Sequence, residues 1–172
     1  LNPGNLPLAS SYKLGNWQFI TENQNPALYQ LTNVLTESYQ YDRDRLVQVT
    51  DETSGISTVY LWAYNGTHPV AEIRNATFAN VVQSLGGDYM VNQLYNSYTP
   101  NMNVVNNLRN VLINSQVTTM TFKLLVGVTS ITDPRGIKTS YEYDSFGNLK
   151  NIRDLNNRLL QTIQVHYIGE YL

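Results

Sequence analysis

An α+β fold, mainly β, is what this sequence predicts: an antiparallel meander of β-hairpins interrupted by a small helical insert at about residues 75–114. Three observations predict it. The 172 residues include 13 tyrosines, and aromatic and β-branched side chains suit pleated, half-buried surfaces. Short runs of alternating character are separated by compact turns rich in Asp, Asn and Gly, the pattern of hairpins. Between about 75 and 114 the apolar period changes from 2 to 3.6, the mark of amphipathic helix.

Taken in order, residues 1–26 carry Pro3, Gly4, Pro7 and Gly15 and read as loop, with one short strand at 17–21. Residues 28–41 are dense in β-formers and read as strand, with a bend at Asn33. Asp42-Arg43-Asp44-Arg45 makes a turn, 46–49 the returning strand and 51–55 the next turn. A strand at 57–64 ends in Asn65-Gly66, a pair that favours tight hairpins, and the chain returns through 69–73. Phe78, Val81, Val82 and Leu85 then recur at helical spacing, with Asn75 placed to cap the start and Gly86-Gly87 to stop it. A second helical turn is expected over 88–95, interrupted at Pro100. A third stretch over 103–114 sets Val104, Val105, Leu108, Val111 and Leu112 on one stripe. Alternation returns at 117–125, and 128–131, 138–143, 149–153 and 159–167 complete a meander. The chain thus reads as one module over 1–172, with an N-terminal β-part (1–74), the insert (75–114) and C-terminal hairpins (115–172).

Bulk chemistry excludes several classes of function. A formal net charge of -2 with 14% charged residues leaves no basic stripe for nucleic acid, and no run approaches the roughly 18 apolar residues that a membrane span needs. We therefore expect no nucleic-acid partner and no direct membrane insertion. Cysteine is absent, which removes disulfides, thiolate metal sites and a cysteine nucleophile. The chain opens at Leu1 without a basic or apolar leader, so a piece of a longer protein is expected.

An internal repeat decides how the remaining residues are read. Tyr39, Tyr41 and Asp42 are set without a gap against Tyr141, Tyr143 and Asp144, and Leu46 and Leu149 follow as the shared leucine: a tyrosine pair ends a strand, Asp bends the chain onto its own backbone, and Leu starts the return. Gly147 supplies the left-handed conformation such a turn needs, and Asp44 stands in its place in the first copy. Asp133-Pro134-Arg135-Gly136 has Pro and Gly where an ordinary type I turn takes them.

At these residues the chain resembles the YD repeat of RHS proteins, in which a Gly-containing turn precedes Tyr-x-Tyr-Asp-x-x-Gly-x-Leu; Asp133, Pro134, Gly136, Tyr141, Tyr143, Asp144, Gly147 and Leu149 carry the likeness. Residues 60–66, 69–73 and 75–77 are similar to a stretch of RHS-like proteins from Bacteroidetes-type bacteria. The resemblance implies hairpins of YD type that add to one long sheet winding into a shell. It also implies a bacterial extracellular or cell-surface location, neighbouring repeats of the same chain as partners, and a link to proteins of the polymorphic-toxin type. So few hairpins cannot close a shell by themselves, and the edge they leave invites self-association.

No catalytic constellation competes with this reading. The two histidines, His68 and His166, are far apart in the chain and read as hydrogen-bonded or solvent-facing. Protease, nucleophile-elbow, phosphate-loop and dinucleotide signatures are missing, so no enzyme, no cofactor and no metal site is expected. Asp42, Asp44, Asp51 and Glu52 read as solvated turn carboxylates, since calcium needs converging oxygens. The alternative is a carbohydrate- or protein-binding module, with Trp17, Trp62, Tyr95 and Tyr98 as stacking rings.

Overall fold

A computed structural model describes residues 10–14 and 35–164. The strand expected at 17–21, the bend at Asn33, and Trp17 and His166 lie outside the described residues. The described chain is a ten-stranded antiparallel sheet in strict chain order: β1 (Ser10–Leu14), β2 (Leu35–Asp42), β3 (Arg45–Asp51), β4 (Ile56–Ala63), β5 (His68–Arg74), β6 (Gln116–Lys123), β7 (Gly127–Thr132), β8 (Lys138–Tyr143), β9 (Leu149–Arg153) and β10 (Leu159–Thr162). Three helices, α1 (Phe78–Leu85), α2 (Asp88–Asn96) and α3 (Met102–Val111), intervene between β5 and β6. The mainly β meander with a helical insert is therefore the fold. One correction falls at the N-terminal end, where Ser10–Leu14, read as loop, pairs antiparallel with β2.

Alternation along the central strands shows why the insert sits where it does. On β4 Ser57, Val59, Leu61 and Ala63 are buried and the residues between them are half-buried. Their ladder partners Ile73 and Ala71 on β5, and then Val117 and Thr119 on β6, continue the same face. Phe78, Val81, Leu85, Val91, Leu94, Val105 and Leu108 of the helices close over it as one core. Burying a side chain of this size stabilises by roughly 1.5–3 kcal/mol, so the seven buried helix residues are a large part of what covers this face among the described residues.

Local signals explain the helix ends. Thr77, not Asn75, is the N-cap of α1: its hydroxyl accepts from Asn80 N–H, while Asn75 sits at φ +64 with its side-chain amide donating to the Asn114 carbonyl. Gly86 ends the helix in the left-handed region at φ +110. On α3, Val105 and Leu108 are buried but Val111 is 50% exposed, so the stripe is narrower than its spacing predicts. Leu112 already lies in the cap, and the helix ends before a third apolar turn is presented.

The insert is pinned to the strands at two places. The Arg109 guanidinium donates to the carbonyls of Thr132 and Asp133, the Thr119 hydroxyl and the Asn106 side chain. At the far end of α2, Tyr95 packs over Gly66 and donates its hydroxyl to the Arg43 carbonyl, while Gly66 N–H donates to the Tyr95 carbonyl. Arg43 also pairs with Asp88 at the start of α2, 2.9 Å away. One helix thus holds the β2–β3 and β4–β5 turns together.

Candidate functional site

The repeated hairpin is the candidate site, and the backbone reveals more copies than the letters do. In β2–β3 the pairs Asp42↔Arg45 and Tyr41↔Leu46 are followed by a skipped residue, Val47, before Gln40↔Gln48. The same step occurs in β4–β5, where Trp62↔Pro69 precedes the skipped Val70, and in β6–β7, where Phe122↔Val128 precedes the skipped Thr129. It occurs again in β8–β9, where Tyr143↔Leu149 precedes the skipped Lys150. All four turns lie at one end of the sheet. Each carries an aromatic residue two positions inside the turn and one extra residue on the returning strand. Such a bulge bends the strand and increases its right-handed twist.

This register also corrects the gapless alignment. Tyr41 pairs with Leu46 and Tyr143 with Leu149, so the two motifs superpose only when the first loop is made one residue shorter. That loop is the two-residue turn Arg43-Asp44, with both residues in the left-handed region at φ +49 and φ +58, the hairpin turn of type I′. Asp44 does occupy the place of Gly147, which has φ +85.

Beyond the first and third bulges the neighbouring strands stop pairing, and an aromatic side chain takes over. The β3–β4 ladder ends at Gln48↔Val59, and the carbonyl of Leu46 beyond it accepts from the Trp62 indole N–H at 2.8 Å. The β7–β8 ladder ends at Ser130↔Ser140, and the Val128 carbonyl accepts from the Tyr143 hydroxyl at 2.8 Å. Leu46 and Val128 hold equivalent positions, so this is one latch made twice, and it pairs a half-buried carbonyl that the ladder leaves open. Between the second and third copies the latch position is Phe122, which has no donor; its ring lies 4.6 Å from that of His68, and its N–H donates to the Tyr64 hydroxyl. Trp62→Phe should remove the first latch while keeping the ring. The expected loss is about 1–2 kcal/mol, read from urea denaturation, and an unchanged midpoint would show the bond to be idle.

The C-terminal turns share a second device. In Asp133–Ile137 the Asp N–H donates to the carbonyl four residues on, Gly136 N–H donates to the Asp carbonyl, and the carboxylate accepts from the N–H groups of Arg135 and Ile137. Residues 144–148 repeat this bond for bond, with Phe146 and Asn148 as donors. So do residues 154–158, with Asn156 and Arg158. The left-handed position is filled by Gly136, Gly147 and Asn157. The third turn, with Asp154, Asn157 and Arg158, escapes a search for Tyr-Asp; its signal is Asp followed three residues later by a residue that tolerates the left-handed region.

These bonds lower all three carboxyl pKa values from the ordinary aspartate value. The largest cause is the backbone N–H of Ile137 on Asp133, of Asn148 on Asp144 and of Arg158 on Asp154. Asp51, whose carboxylate accepts from Thr53 and Ser54 N–H, is lowered in the same way. A lowered folded pKa means that the carboxylates contribute full stability above the unfolded pKa of about 3.9 and lose it as pH falls through the folded values. The urea midpoint should therefore be flat from pH 7 to 5 and fall below about pH 4. Replacing Asp144 and Asp154 together by Asn should flatten that fall; an equally steep one would contradict the turn assignment.

The remaining sequence candidates are not brought together. Trp62 is half-buried with its donor committed and the Arg45 guanidinium 5.8 Å from its ring centroid. Tyr95 is half-buried against Gly66, and Tyr98 is 62% exposed. His68 shares a hydrogen bond with the Thr67 hydroxyl, as the hydrogen-bonded reading expects. Among the described residues no three His, Asp or Glu side chains converge.

The comparisons fall on the same elements. The family model described as RHS Repeat matches residues 126–162, which run from the end of the β6–β7 turn to β10 and include all three Asp turns. That family is a structural repeat and not a catalytic one. No curated protein matches the chain.

Proposed function

We propose, for a chain that carries an RHS repeat over 126–162, that it is a structural module contributing β-hairpins to a larger secreted or surface-displayed scaffold, of the shell-forming kind found in polymorphic-toxin proteins. The observation that carries this reading is the bulge repeated at one end of four successive hairpins. One bulge per hairpin makes the sheet turn in a constant sense as it grows, the geometry a wound wall needs and a flat sheet lacks. The chain's work is mechanical: each hairpin adds two strands, each aromatic latch ties one hairpin to the one before, and each Asp turn reverses the chain within three residues. Its partners are then the neighbouring repeats, and no residue is asked to bind or turn over a substrate. No helix among the described residues is long and apolar enough to cross a membrane.

The side of β10, Leu159–Thr162, that no described strand pairs with is where the next hairpin would add, and all four of its residues are exposed. Hydrogen exchange tests this. The amides of β10 should exchange fast in the isolated 172-residue chain and slowly in the product of the complete reading frame. Equal rates in both, or a reading frame without further repeats, would overturn the reading.

A further inference from the structure

We propose that Asn65 is a site of self-modification whose rate is set by α2: the docked helix keeps the Asn65-Gly66 turn intact, and when it lifts the turn converts irreversibly to isoaspartate. Asn65-Gly66 is the one Asn-Gly pair in the sequence. Residue 66 has no Cβ, so its main-chain nitrogen is open to attack the neighbouring carboxamide. Asn65 is exposed, and no described residue holds its side-chain amide. Asn75 and Asn157 also lie in the left-handed region. They are followed by Ala76 and Arg158, whose Cβ atoms crowd the nitrogen, and the Asn75 amide is tied to the Asn114 carbonyl.

In the reaction the Gly66 nitrogen gives its proton to solvent and bonds to the Asn65 Cγ. The Cγ–Nδ2 bond breaks, and the amide takes a proton and leaves as ammonia. Water then opens the five-membered imide at either carbonyl, to aspartate or to isoaspartate. Three contacts oppose the first step in the folded chain. Gly66 N–H donates to the Tyr95 carbonyl, the Gly66 carbonyl accepts from Arg45 Nε at 2.5 Å, and the Tyr95 ring lies where a Cβ of residue 66 would stand. Closing the imide turns the 65–66 peptide out of the left-handed arrangement that Tyr64, Asn65 and Gly66 share, at φ +54, +56 and +69. The bond to Tyr95 must therefore open first, and the rate follows the fraction of time that α2 is lifted. Isoaspartate adds one carbon to the main chain inside a turn that Thr67 N–H closes on the Ala63 carbonyl. The lengthened turn no longer fits under Tyr95, so α2 cannot return and a brief opening becomes permanent.

Peptide mapping by mass spectrometry on the full chain, aged at mildly alkaline pH, tests this. Conversion at Asn65 should be at least about tenfold slower in the native chain than in the same chain in urea, and Tyr95→Ala should restore most of the unfolded rate. If that variant fails to fold, hydrogen exchange on the wild type replaces it: exchange of the Gly66 amide and conversion of Asn65 should be slowed by the same factor. The purified isoaspartate chain should lose exchange protection along α2, whereas Asn65→Asp, which adds the charge but no main-chain atom, should keep it. Equal conversion in the folded and unfolded chain, a folded Tyr95→Ala variant as slow as the wild type, two slowing factors that disagree, or an isoaspartate chain with α2 still protected would each overturn the proposal.

Discussion

Leu61→Ala is expected to cost the folded chain about 2–5 kcal/mol, read as a lower urea midpoint with an unchanged slope. Leu61 is 1% exposed and among the largest fully buried side chains. It stands on β4 opposite Ala71, where α2 packs on the sheet, so truncation leaves a cavity lined by two rigid layers that cannot both collapse. The helices and the central strands share one core, so tryptophan fluorescence and circular dichroism should report the loss as a single transition. Leu155→Ala is the control: Leu155 is 59% exposed at the tip of the third Asp turn, and surface truncation costs within about 0.5 kcal/mol. A similar loss for the two variants would mean that the insert does not form the core of the chain.

The position of that core shows what was legible in the sequence and what was not. The insert announces itself because its period of 3.6 stands between stretches of period 2, and strand pairing in chain order follows from short turns. Asn75 misleads as a cap because Asn is favoured both at helix starts and in the left-handed region. Its side chain bonds the Asn114 carbonyl, and the hydroxyl two residues later takes the cap. The gapless repeat fails for a related reason: a hairpin of given strand register can be closed by a loop of two residues or three, and letters alone do not show which.

The repeat itself was half legible. Two copies carry Tyr-x-Tyr-Asp and are found by inspection; the other two keep only the physical requirement, an aromatic side chain two positions inside the turn. Trp62 and Phe122 meet it, while Ala63 and Lys123 replace the Asp. The bulge has no letter at all, because Val47, Val70, Thr129 and Lys150 share nothing but their place in the register. Long-range pairing decides it, and that information lies in two strands read together.

The second large effect concerns the clamp between the insert and the turns, and it is isolated by comparing two glycines. Gly66 and Gly136 both lie in the left-handed region, at φ +69 and φ +83, so replacement by Ala costs each of them roughly 1–2 kcal/mol of backbone strain. They differ in what a methyl group would meet. At Gly136 nothing lies within 4 Å, whereas at Gly66 the new atom would fall 2.3 Å from the Tyr95 ring. The ring must leave, taking with it the hydroxyl bond to the Arg43 carbonyl, and forced repacking of this kind adds about 1–3 kcal/mol. Gly66→Ala is therefore expected to cost about 2–5 kcal/mol and Gly136→Ala no more than about 2. In a Tyr95→Ala background the obstacle is gone, and Gly66→Ala should cost only its backbone share, a coupling that a double-mutant cycle measures directly. Equal costs at the two glycines, or additivity with Tyr95→Ala, would show that α2 rests beside the turns without holding them.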